Sequence, residues 1–209
     1  MSSSSKSPVT QVVIEGPVGQ LEGLWTPSTP STLSTRTQTT THCALLCHPH
    51  PQYGGSMHDS VLAIAAEALS ALGFSHLRFN FRGVGGSAGG YDKGKGERDD
   101  IIAAWQWLQD SWDQKVLIGY SFGAATAWSA KEQCSQLDKL VLIAPPTQSM
   151  SFAGDAGPVP SQVIVGDNDS YCDLNALPTG AAVQVISGAD HFFSSSSQAL
   201  GDAIAGILS

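Results

Sequence analysis

Val116-Leu117-Ile118-Gly119-Tyr120-Ser121-Phe122-Gly123-Ala124-Ala125 is the stretch that decides the fold. Three apolar residues lead into Gly-Tyr-Ser-Phe-Gly, and an alanine-rich run follows to Gln133. A G-x-S-x-G pentapeptide alone arises by chance, since both residue types are common. Between an apolar strand and a helix it gains a mechanical meaning. Such a turn holds its serine in strained backbone geometry with the hydroxyl exposed, and the two glycines let strand and helix approach closely. The helix from Phe122 then aims its N-terminal dipole and free N–H groups at that hydroxyl. A glycine-rich turn with an incidental serine reads the same until partners are found.

A serine hydroxyl is a poor nucleophile at neutral pH unless a base takes its proton. His191, in Gly188-Ala189-Asp190-His191-Phe192-Phe193, follows the last apolar strand and precedes a closing helix. Beside two phenylalanines it could equally be a half-buried packing residue, so its position carries the case. The acid should lie between serine and histidine, at a strand end. Gly166-Asp167-Asn168-Asp169 offers two carboxylates. Asp169 is preferred because it lies beyond the strand tip, where a loop can curl toward His191. Asp167 stays open as the alternative, since an aspartate there can also bond its own turn. Asp190 reads as a loop stabiliser.

A tetrahedral intermediate needs two N–H donors about 2.7–3.1 Å from its oxygen. Phe122 should supply one. The other should come from His48-Pro49-His50-Pro51-Gln52-Tyr53-Gly54-Gly55, where Pro49 and Pro51 have no N–H to give. His50 is first choice, with Gln52 and Tyr53 behind it. His48 and His50 also invite a metal reading, but no further ligands stand at sensible spacing. No metal and no cofactor are expected.

Outward from this centre, apolar runs bounded by Gly and Pro alternate with helical patterns, which predicts an α/β, doubly wound, mostly parallel sheet with helices on both faces. Val9–Glu15 and Gln20–Trp25 read as an opening hairpin, and Thr26–Thr41 as an exposed Ser/Thr/Pro-rich loop. Strands are predicted at Cys43–His48, Ser75–Phe81, Lys115–Gly119, Leu140–Ala144, Gln162–Val165 and Val183–Ile186. Helices are predicted from His58 to Leu72, capped by Gly73, from Phe122 to Gln133, and from Ser197 to Leu208. Another carries Ile101, Trp105, Leu108 and Trp112 at helical spacing, with Asp99 and Asp100 near its start, where the dipole favours them. Residues 9–209 read as one domain.

Bulk properties set the boundaries. The 209 residues carry a formal charge of −8, which argues against a nucleic-acid partner. No apolar run approaches the roughly 20 residues of a membrane span. The serine-rich start lacks the apolar core of a signal peptide, and residues 1–8 are expected to be disordered. The four cysteines match no common zinc pattern. Cys43 and Cys47 share one face of a strand without being adjacent, so reduced thiols and a cytoplasmic setting are expected. A homodimer that buries an exposed sheet edge is compatible with all of this.

Several longer runs now carry a resemblance. Cys47–Met57 (CHPHPQYGGSM), Phe79–Asp92 (FNFRGVGGSAGGYD), GYSFG, Ala144-Pro145-Pro146 and Gly188–Phe193 (GADHFF) resemble a family of small α/β-superfamily serine hydrolases widespread in bacteria. The similarity spans nearly the whole chain from about Val12, in the expected order. It implies an α/β-hydrolase fold of about eight strands without a large cap domain, and the triad Ser121, Asp169 and His191. It also implies structural roles for Arg82 and Asp92. The chain departs from the family pattern in the short segment Ser170–Ala182 and in His58-Asp59-Ser60.

The leading expectation is therefore hydrolysis of an ester or thioester of a small-molecule acyl substrate through an acyl-serine intermediate. Tyr53, Met57, Tyr120, Phe122, Met150 and Phe192 could line an acyl pocket. The same constellation serves acyl-transfer, lyase or cyclase chemistry in a biosynthetic pathway, and a scaffold that only binds is the third alternative.

Overall fold

The computed structural model describes residues 8–28, 41–109 and 111–209. Most of the predicted loop Thr26–Thr41, and all but Pro8 of the start expected to be disordered, lie outside the described residues. The chain opens with the antiparallel pair β1 (Thr10–Gly16) and β2 (Gly19–Thr26). It then alternates: β3 (His42–Cys47), α1 (Ser60–Ala71), β4 (Ser75–Phe79), α2 (Lys95–Trp107), β5 (Gln114–Tyr120) and α3 (Phe122–Ala130). β6 (Lys139–Ile143), β7 (Ser161–Gly166), β8 (Ala182–Ile186) and α4 (Ser197–Leu208) complete it. Among the described residues these strands form one eight-stranded sheet in the order β1-β2-β4-β3-β5-β6-β7-β8, parallel from β4 to β8.

Side chains alternate across the strands and divide the core in two. Cys43, Leu45, Cys47, Leu117 and Leu142 pack with the buried faces of α2 and α3. Ala44, Leu46, Val116, Ile118, Val141 and Ile143 pack with α1 and α4. Cys43 and Cys47 do share one face, and both are free thiols. Alanine makes α3 thin enough to lie buried on nearly every side against β5 and β6. Among the described residues no helix is long and apolar enough to cross a membrane.

Local chemistry explains where the elements begin and end. Asp59 caps α1 by accepting from the Val61 N–H at 2.8 Å, so the helix starts two residues after the predicted His58. At its other end Gly73 takes the left-handed conformation (φ +79°), and the N–H groups of Gly73 and Phe74 bond back to Ser70 and Leu69.

α2 corrects the sequence reading. It starts at Lys95, so Asp99 and Asp100 fall beyond the first turn and do not serve the dipole. Glu97 occupies that place, accepting from the N–H groups of Asp92 and Gly94 at 2.8 Å. Asp100 is instead buried beneath the glycine-rich loop, where it takes the Arg82 guanidinium at 2.7 Å. The helix ends at Trp107, and Trp112 lies past it with its indole N–H on the Leu108 carbonyl. β4 likewise stops at Phe79, two residues before the predicted Phe81.

Candidate active site

Ser121 sits between β5 and α3 with φ 54° and ψ −117°, a conformation rarely taken by residues with a side chain. The neighbouring glycines have a steric reason. A Cβ on Gly119 would stand 2.3 Å from the Gly123 carbonyl oxygen, and one on Gly123 would stand 2.3 Å from that of Cys47. Strand, helix and the end of β3 are thus in backbone contact around the serine.

The loop after β8 carries His191, and the loop after β7 carries the acids. These two loops are tied together: Asn168 N–H donates to the Ala189 carbonyl, and Asp167 accepts from Ser187 Oγ and from Gly188 N–H. Asp167 is therefore a loop clamp across to β8, not a bond to its own turn. Asp169 points the other way, with Oδ2 2.9 Å from His191 Nδ1 and Oδ1 accepting from Tyr171 N–H. His191 Nε2 lies 2.9 Å from Ser121 Oγ. All three side chains are nearly closed to solvent, with exposures of 9% for Ser121, 6% for His191 and 8% for Asp169.

The connectivity defines the proton positions. An ionised Asp169 can only accept, so His191 Nδ1 carries the hydrogen and Nε2 is free to accept from the serine. Asp190, as expected of a loop stabiliser, accepts from the N–H groups of Phe192 and Ser194. Asp59, at the start of α1, is a second carboxylate near the site; burial raises its pKa, and the His191 charge acts in the opposite sense with smaller weight.

Aromatic rings frame the site on two sides. His50 contacts Tyr53, Tyr91 and Phe122 at ring separations of 4.6, 5.0 and 4.9 Å. Opposite, Tyr171 lies 4.5 Å from the His191 ring, and Phe192 stands edge-on to it at 5.3 Å. Tyr53, Tyr171 and Phe192 are exposed at 87%, 49% and 56%. Met150 is half-buried beside Gly94, which in turn neighbours Phe122.

Two residues expected to line an acyl pocket are placed elsewhere. Tyr120 is buried on the α1/α4 side of the sheet, and its hydroxyl donates to the His191 main-chain carbonyl at 3.2 Å. Met57 is buried too, with its N–H on Asn80 and its carbonyl on Arg78. Tyr91, whose ring also flanks the site against His50 and Phe122, is not in the predicted lining; its only signal is the glycine-rich loop in which it stands.

His48 does not reach the site as a metal ligand. Both its ring nitrogens are engaged with backbone, Nε2 accepting from Phe81 N–H and Nδ1 meeting the Pro49 carbonyl. Among the described residues, no group of three or more His, Cys, Asp or Glu is arranged to hold a metal ion.

A strained serine between strand and helix, with histidine and acid supplied by later strand ends, defines the α/β-hydrolase class, and the known proteins agree. No protein-family model matches the chain. A protein of Rickettsia prowazekii described only as uncharacterized is 34% identical over 203 residues, spanning 88% of this chain and 82% of its own. A solved α/β serine hydrolase without a lid, from Xanthomonas campestris, is 33% identical with a TM-score of 0.83, covering 94% of this chain and 91% of that one. An α/β serine hydrolase homologue from Coxiella burnetii is also 33% identical at TM-score 0.83, covering 96% and 97%. The chain belongs to the α/β serine hydrolase family.

Proposed function

We propose that this protein cleaves a carboxylic ester or thioester of a small acyl substrate through an acyl-serine intermediate. The observation that carries the reading is the relay from Asp169 through His191 to Ser121, two contacts of 2.9 Å each. Ser121 Oγ attacks the carbonyl carbon while its proton passes to His191 Nε2, and Asp169 stabilises the resulting imidazolium. The imidazolium then protonates the leaving alkoxide or thiolate. Water, deprotonated by the same imidazole, attacks the acyl-serine and releases the acid.

The oxyanion is held by the N–H groups of Phe122 and His50. The alternatives to His50 are already committed inside their own loop. Tyr53 N–H donates to the His50 carbonyl, and Gln52 N–H donates to His50 Nδ1 at 3.2 Å. Phe192, Tyr171, Tyr53 and Met150 offer apolar contact at an open rim, which suits small or accessible acyl groups.

The test is a panel of p-nitrophenyl esters and acyl thioesters, together with fluorophosphonate labelling. Turnover and a covalent label are expected in the native chain and should both vanish in Ser121→Ala. Full activity in that variant would reject the mechanism. A native chain that neither turns over nor takes the label would point to a scaffold that only binds.

A further inference from the structure

We infer that His48 is a positioning residue whose imidazole aims the oxyanion-binding N–H of His50. The inference rests on the acyl-serine reading above and adds a residue to it.

Pro49 C=O and His50 N–H belong to one peptide unit. No peptide bond among the described residues is cis, so in this planar unit the carbonyl and the N–H point in opposite directions. Whatever fixes the Pro49 carbonyl therefore fixes the direction of the His50 N–H. His48 does so at 2.6 Å through Nδ1. Its tautomer is settled by its other contact: Phe81 N–H can only donate, so Nε2 accepts at 3.0 Å and Nδ1 must carry the hydrogen. The ring is fully buried and meets the Phe81 ring at 4.6 Å. It has no freedom to release the carbonyl.

The peptide is confined from other directions as well. A Cβ on Gly55 would stand 2.2 Å from the Pro49 carbonyl oxygen and 2.8 Å from that of His50. Gly55 is not among the residues with positive φ, so close approach alone accounts for a glycine there. The His50 ring accepts from Gln52 N–H at Nδ1, so its Nε2–H donates to Tyr91 Oη at 3.1 Å. The His50 carbonyl accepts from both Tyr53 and Gly55 N–H groups. A donor held this way needs no reorganisation as charge develops, which is the condition for effective oxyanion stabilisation.

Two substitutions separate the functions of the ring. Asparagine places an amide N–H near the position of Nδ1, whereas glutamine places its terminal oxygen near Nε2. His48→Asn can keep the bond to Pro49; His48→Gln keeps only the bond from Phe81. Gly55→Ala presses on the same Pro49 carbonyl and leaves His48 intact.

The experiment measures kcat and KM on p-nitrophenyl acetate, and Ki for a trifluoromethyl ketone, whose serine adduct carries the oxyanion. Thermal melts confirm that each variant is folded. His48→Gln and Gly55→Ala should lower kcat on the order of a hundredfold and raise Ki in parallel, with KM little changed. His48→Asn should retain most of both. Equal losses in His48→Asn and His48→Gln, or a folded His48→Gln or Gly55→Ala with native kcat and Ki, overturn the inference. Should His48→Gln fail to fold, Gly55→Ala decides alone. An inactive, unlabelled native chain would instead defeat the hydrolase reading itself.

Discussion

The Tyr120 hydroxyl donates to the main-chain carbonyl of His191 at 3.2 Å, bracing the turn that carries Ser121 against the loop that carries His191. The two loops lie 71 positions apart in the sequence, and this bond crosses directly between them. Burial raises the phenol pKa, and the charges of Asp59 and Asp169 add to it, so the hydroxyl keeps its hydrogen at working pH. Tyr120→Phe removes the brace while keeping the ring and its packing. We expect a severalfold loss in kcat with KM unchanged, and a stability loss of about 1 kcal/mol. Steady-state kinetics and urea unfolding check both. An unchanged kcat would show that the His191 loop holds its place without Tyr120.

The two aspartates after β7 have separable duties. Asp169→Asn keeps the shape but offers an amide to His191, favouring the wrong imidazole tautomer; kcat should fall by roughly 10⁴. Asp167→Asn weakens only the clamp to Ser187 and Gly188. It should leave kcat near native and cost about 1 kcal/mol of stability. Reversal of the two kinetic outcomes would transfer the acid role to Asp167.

Much of this was legible in the residues, for identifiable reasons. The parallel strands are short apolar runs ended by Gly or Pro, and α4 runs from Ser197 to Leu208, the bounds its apolar spacing predicts. Ser121 and His191 could be singled out because strand–turn–helix context and chain order constrain them. Tyr120 was misplaced although the signal existed. On a strand it stands two positions from Ile118 and four from Val116, and so shares their face. The start of α2 was hidden because Lys95 and Gly96 continue a glycine-rich loop, and Glu97 as the N3 capping acid went unread. The Arg82–Asp100 pair was invisible for a different reason: a contact across 18 positions between a loop and a helix has no local periodicity.

That pair yields a prediction about stability. Asp100 is fully buried and receives both the Arg82 guanidinium and the Arg82 N–H, so the loop and α2 are joined through one carboxylate. Asp100→Ala leaves a buried guanidinium uncompensated and should cost roughly 3–5 kcal/mol. Replacing both partners, as Arg82→Met with Asp100→Leu, should recover a large part of that loss. Chemical denaturation of the single and double variants measures the difference. If the double variant is no more stable than Asp100→Ala, the uncompensated charge is not the source of the cost.

Two interior histidines make stability depend on pH. Burial lowers the pKa of His48 and of His76 from 6.5 to about 4, and the neighbouring Arg78 lowers His76 further. The unfolded chain therefore takes up protons on these rings near pH 6.5, whereas the folded chain resists until near pH 4. Between those values the unfolded state binds more protons, so stability rises with pH and is lost as pH falls. Above the window both states carry neutral rings, and the slope from these groups vanishes. Each ring accounts for on the order of 3 kcal/mol across the full interval. His76 can be separated from the site, because its Nε2 meets Ser70 Oγ at 3.1 Å and its Nδ1 is buried without a hydrogen bond. His76→Gln should flatten the rise of the urea midpoint between pH 4.5 and 6.5, relative to the native chain, by about half of the histidine contribution. Parallel midpoint curves for the two proteins would mean that His76 carries its proton alike in both states, and would remove it as a source of acid sensitivity.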